Sequence, residues 1–76
     1  MTLNQLQIGH TARIHALSTG EVELHARIQA MGLRPGRLIT LIRRARFGGP
    51  LQVRVGTTDL ILRAEQAQMI LLGTTE

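Results

Sequence analysis

A small, mainly β barrel of about five strands, with one α-helix inserted after the first strand, is the fold class this 76-residue sequence predicts. Three observations carry it. Short apolar or alternating runs recur along the chain, glycine and proline mark the turns between them, and helical spacing is confined to residues 19–31. Hydrophobic residues at 43% can furnish a core, and charged residues at 18% argue against a disordered chain. A chain of this length is expected to form one domain, residues 1–76, burying about 60% of its unfolded surface.

The elements follow in order. Leu3, Leu6 and Ile8 are expected to plug one end of the barrel before Gly9 breaks the segment. From His10 to Leu17 the chain alternates, with Ala12, Ile14 and Ala16 on one face and Thr11, Arg13 and His15 on the other, as a half-buried strand requires. A helix start comes next. Ser18 is the expected cap, Glu21 its capping-box partner, and Leu17 with Val22 the hydrophobic staple. Leu24, Ile28 and Met31 lie at i, i+4 and i+7 and form one apolar stripe, while Glu23 and Arg27 stand four apart in the favourable order.

The segment Met31-Gly32-Leu33-Arg34-Pro35-Gly36 ends that helix. Gly32 is expected to turn left-handed, with Leu33 meeting Ile28 across a Schellman-type ending. Pro35 then stops the helix from resuming, and Gly36 turns the backbone into the run Leu38 to Ile42. Strands are predicted over 37–46, 51–56, 59–63 and 69–72. Gly48-Gly49-Pro50 is expected to reverse the chain between the first two of these, and Gly56-Thr57-Thr58-Asp59 between the next two. Ala64-Glu65-Gln66-Ala67 suits a single helical or 3₁₀ turn before the last strand, and Thr74-Thr75-Glu76 is expected to fray. Short strands, tight turns and one helix in so short a chain point to an SH3-like barrel.

Composition excludes several function classes. Without cysteine there is neither a disulfide framework nor a thiolate metal site. The sequence carries no phosphate-binding glycine loop, no dinucleotide fingerprint and no serine in a nucleophile elbow, so an enzyme is not expected. With no Trp, no Tyr and a single Phe, an aromatic groove for polyproline ligands cannot be built. The opening residues Met-Thr-Leu-Asn-Gln-Leu lack the basic and apolar segments of a signal peptide, and no apolar run approaches the roughly 20 residues that cross a bilayer. A cytoplasmic location is the expectation.

Every basic side chain is an arginine, nine in all against five acids, for a net charge of +4. Arginine suits bidentate contacts with carboxylate or phosphate, so an acidic protein surface or a nucleic acid is the partner class to consider. Against nucleic acid stand the scatter of the arginines and the missing aromatic stacking platform. The one cluster, Arg43, Arg44 and Arg46 beside Phe47, Gly48 and Gly49, has the composition of an interface anchor, although the Phe47 ring could instead fold back over a small core.

These residues together resemble the FeoA family of small cytosolic proteins linked to bacterial ferrous-iron uptake. The match runs through Leu6, Gly9, Ala12 and Ile14, then Arg27-Ile28-Gln29-Ala30-Met31-Gly32-Leu33-Arg34-Pro35-Gly36. It continues with Ile39, Ala45, Gly48-Gly49-Pro50-Leu51, Val53, Val55-Gly56, Leu62-Arg63, Ala67 and Ile70. Arg46 departs from the proline that often follows the matching alanine in that family. The same barrel is similar to the C-terminal domain of iron- and manganese-dependent bacterial repressors. The resemblance implies a regulatory accessory of a membrane ferrous-iron transporter that carries a cytosolic GTPase domain, with any membrane association made through that partner. An arginine-rich nucleic-acid-binding barrel is the alternative.

No cofactor is required by this reading. His15, His25 and Glu21 are the metal candidates, Glu21 and His25 having the i, i+4 spacing that puts two donors on one helix face, but with no cysteine and few acids isolated surface histidines are the better reading. A weak homo-oligomer formed through exposed barrel edges, with a divalent transition metal shared between two copies, is the corresponding expectation, and a plain monomer is the alternative.

Overall fold

The computed structural model describes residues 1–73. Five antiparallel strands form a single sheet: β1 (Thr11–Leu17), β2 (Leu38–Arg44), β3 (Leu51–Val55), β4 (Thr58–Leu62) and β5 (Ile70–Gly73), in the order β4-β3-β2-β1-β5. Helix α1 (Val22–Ala30) connects β1 to β2, and the one-turn α2 (Ala64–Ala67) connects β4 to β5. The sheet bends around one core because register shifts interrupt two ladders, between Ile14 and Ala16 and between Leu41 and Arg43. Inward residues from all five strands, with Leu3, Leu6, Ile28, Leu33 and Ala67, make one buried apolar cluster. The mainly β architecture with one helix after the first strand is as the sequence predicts.

Both ends of the cluster are closed by segments that the core itself holds. The 3₁₀ turn Leu3–Gln5 buries Leu3, and Leu6 follows it inward. Ile8 does not join them; it is 58% exposed, because Gly9 donates to the Leu41 carbonyl and carries the chain past the barrel mouth. At the other side Ile28 and Leu33 meet where α1 ends. Gly32 N–H donates to the Gln29 carbonyl at 3.0 Å and Leu33 N–H to the Ile28 carbonyl at 3.4 Å, which is the Schellman pattern, with Gly32 at φ +94°. Arg34, Pro35, Gly36 and Arg37 then form a type II turn, closed by the Arg37 N–H on the Arg34 carbonyl. That turn is pinned to β1: Gly36 N–H donates to the Ile14 carbonyl, and Ile14 N–H to the Arg37 carbonyl.

The start of α1 departs from the sequence reading. The helix begins at Val22, not near residue 19, and Glu21 stands at its cap without a side-chain capping bond. Ser18 is held by its backbone N–H on the Met69 carbonyl, and Thr19 Oγ1 accepts the Glu21 N–H, so the chain stays extended through the position where Ser18 was expected to cap. Val22 is 83% exposed and staples nothing. Glu23 and Arg27 form no ion pair, the Arg54–Asp59 pair being the one present among the described residues. Strand ends shift by a residue or two, and β2 stops at Arg44 instead of 46 because the hairpin turn takes Arg46 to Gly49. The expected fraying of Thr74 to Glu76 falls outside the described residues.

Candidate functional site: the β2–β3 hairpin and the outer sheet face

Among the described residues no polar or charged side chain is buried, so the groups available for recognition all lie at the surface. The β2–β3 hairpin gathers the sequence-predicted cluster there. Its reversal is centred one residue earlier than Gly48-Gly49-Pro50: Gly49 N–H donates to the Arg46 carbonyl at 3.2 Å, with φ +59° at Phe47 and +70° at Gly48. Two successive left-handed residues make a type I′ turn, whose first central position favours asparagine, aspartate or glycine. Here it holds phenylalanine. Below the turn, Ala45 N–H donates to the Pro50 carbonyl, and a Cβ on Gly49 would lie 2.8 Å from that of Ala45, so the two arms cross only with glycine at 49.

The Phe47 ring is 101% exposed and touches nothing in its own chain. It does not fold back over the core. Arg43, Arg44 and Arg46 are all exposed, but Arg44 is already engaged within the chain. Its Nη2 donates to the Asn4 carbonyl at 2.7 Å and to the Leu6 carbonyl at 3.0 Å, tying the opening segment to β2. The expected cluster of three arginines therefore presents two outward cations and one structural clamp.

The outer face of the sheet carries two rows of side chains that the sequence alone did not align. Thr11, Thr40, Arg54 and Asp59 lie in register across β1 to β4, with the threonine hydroxyls 2.7 Å apart. Arg54 Nε and Nη2 grip the Asp59 carboxylate at 2.7 and 3.1 Å, and the Gln52 amide donates to it at 3.2 Å. The Arg54 hydrogen bonds, supported by Gln52, hold the Asp59 carboxyl below the usual carboxylate range, and the same bond raises Arg54. Arg43, Gln52 and Ile61 make the second row. Arg13 and Arg34 also spend their guanidiniums within the chain, on the Gly36 and Gln29 carbonyls. The cations are thus divided among separate tasks and form no continuous stripe.

The weak metal candidates do not come together. Glu21 and His25 line one hollow with Thr19, Gly20 and Val22, while His15 lines another beside Arg13, Gly36 and Gly73. Among the described residues no group of three or more His, Asp or Glu side chains could hold an ion. Among the described residues one chain brings at most two donors together, short of the four that a tetrahedral zinc site takes.

Among the described residues, no helix is long and apolar enough to cross a membrane. A search of curated proteins by sequence gives no match. Solved structures do match. Iron(II) transport protein A from Clostridium thermocellum is 32% identical with a TM-score of 0.89, over 97% of this chain and 45% of that one, so the chain spans under half of that relative. The Stenotrophomonas maltophilia FeoA complexed with zinc, described as a prokaryotic SH3 domain protein, is 24% identical with a TM-score of 0.83, over 96% and 89%. A manganese-dependent transcriptional repressor shares the fold at 17% identity and a TM-score of 0.89, over 99% of this chain and 41% of that one. The FeoA domain model matches residues 1–72, which takes in all of β1 to β4, the glycine-ended helix, the hairpin and all but the last residue of β5; the chain belongs to the FeoA family.

Proposed function

We propose that this protein is a non-enzymatic accessory of ferrous-iron uptake, acting in the cytoplasm as one domain over residues 1–76. It docks by its β2–β3 hairpin tip onto the cytosolic GTPase-containing part of a membrane iron transporter. Family membership supports the iron-uptake role, as do the relatives described as an iron(II) transport protein and as possibly a ferrous iron transport activating factor. Any association with the inner membrane is then peripheral and made through the transporter.

Phe47 is the observation that carries the docking surface. A fully exposed aromatic in a left-handed turn position loses backbone stability, on the order of 1 kcal/mol, and recovers nothing from packing. Arg43, Arg46, Gly48 and Gly49 belong to the same hairpin, and an exposed aromatic accompanied by arginines is the usual make-up of an interface anchor. The test is co-purification with the transporter. Changing Arg46 and Phe47 together to alanine should weaken it, and unaltered co-purification would place the contact elsewhere on the barrel.

A further inference from the structure

Strand β4 forms one side of the sheet, and its register with β3 decides which of its backbone groups stay free. Val55 and Thr58 flank the two-residue turn Gly56-Thr57, so the pairs Val55–Thr58, Val53–Leu60 and Leu51–Leu62 exchange the ladder hydrogen bonds. Asp59 and Ile61, in the alternate pairs, aim N–H and C=O away from the sheet. Among the described residues no turn, loop or cap bond takes these groups up. The opposite edge differs: Thr2 bridges Leu71 of β5, and Leu72 N–H donates to the Met1 carbonyl at 2.7 Å.

The β4 edge also lacks the usual protections. It reads Thr-Asp-Leu-Ile-Leu, without proline, lysine or a bulge against β3, and Asp59 already spends its charge on Arg54. Ile61 is 64% exposed and lines two hollows at once, one shared with Arg43 and Pro50, the other with Pro50 and Arg63. Neither Arg43 nor Arg63 has a carboxylate partner among the described residues, and Glu65 is the one acid lining either hollow.

We propose that this edge receives an extended, acidic segment of a partner protein as a sixth strand. Its main chain pairs with Asp59 and Ile61, an apolar side chain packs beside Ile61, and carboxylates reach Arg43 and Arg63. Strand addition of this kind takes affinity from main-chain bonds and specificity from alternate side chains. Charge selects the occupant: a second copy brings the same net +4, whereas an acidic segment complements both arginines. The proposal goes beyond the hairpin-tip reading and rests on it only in taking the occupant to be a protein; it requires neither Phe47 nor iron.

The probe is a short blocked peptide of alternating glutamate and valine, titrated into the isotope-labelled full chain beside a lysine–valine twin. Amide shifts and slowed exchange are expected at Asp59 and Ile61, with the acidic peptide binding about tenfold more tightly at low salt. Ile61→Pro removes the outward N–H without touching a ladder bond and should abolish binding, its amide spectrum reporting whether it folds. The double variant Arg43→Glu, Arg63→Glu leaves the ladder whole and should remove the preference for the acidic peptide. Equal binding of the twins, or shifts confined to other surfaces, overturns the proposal. Protection of Asp59 and Ile61 that grows with protein concentration alone assigns the edge to a second copy and overturns it too. Failure of the peptide leaves the hairpin-tip reading standing, because that reading is judged by transporter co-purification.

Discussion

Phe47 sets the residue-scale problem, because its backbone and its side chain both sit where stability alone would not put them. Its φ of +59° suits asparagine, and its ring meets only solvent. Phe47→Asn is therefore expected to raise stability by about 1 kcal/mol, read from the urea midpoint at constant slope, while weakening transporter co-purification. A variant no more stable than the parent would show that the turn bears no strain. Asp59 poses the opposite case, a charge satisfied in place. Its folded-state pKa is depressed by Arg54, so its contribution is present above the unfolded value and disappears as pH falls through the folded one. The stability gap between the parent and Asp59→Asn should accordingly close toward acid pH; a gap that stays constant contradicts this. The pair is exposed, and the effect is small.

At the scale of elements, α1 shows how unequal its two ends are. Its C-terminus is fixed by two Schellman bonds and the buried Ile28–Leu33 contact, followed by a type II turn pinned to β1. Its N-terminus has no side-chain cap, since Glu21 occupies that place and Thr19 Oγ1 accepts the Glu21 N–H instead. Stability of the element therefore depends on Gly32. A Cβ there would meet no atom within 4 Å, so the cost of a substitution is conformational and not steric. Gly32→Val should lower stability by roughly 1 kcal/mol or more, measured by thermal or urea unfolding. If the variant unfolds no earlier than the parent, the left-handed ending is not what holds the helix.

For the whole molecule, the arrangement is a closed apolar interior and a surface on which the available groups gather in patches. The hairpin tip and the β4 edge adjoin, sharing Arg43 and Pro50 at their boundary, while the hollow of Glu21 and His25 is built from the start of α1 and the segment before it. Two copies meeting at that hollow would supply two glutamates and two histidines, a complete tetrahedral set that is not found within one chain among the described residues. Zinc is then expected to shift the sedimenting mass from monomer toward dimer, and His25→Ala to remove the shift. A mass that stays monomeric with and without zinc would sink the shared-metal contact.

Local chemistry determines much of this molecule independently of tertiary contacts. The left-handed ending at Gly32, the Pro35-Gly36 turn, the alternation of Thr11 to Leu17 and the single turn at Ala64–Ala67 are all dictated by residues close in sequence, where sterics and period act directly. Family resemblance was legible for the same reason, since it rests on those glycines and prolines. Tertiary structure decided what depended on distant partners. The Ser18 backbone bond to Met69 kept the helix from starting early, the arms of the hairpin moved its turn onto Phe47, and the carbonyls of Asn4 and Leu6 engaged Arg44 as a clamp. The Arg54–Asp59 grip and the free β4 edge follow from strand register, and register is set by which faces the whole sheet must bury.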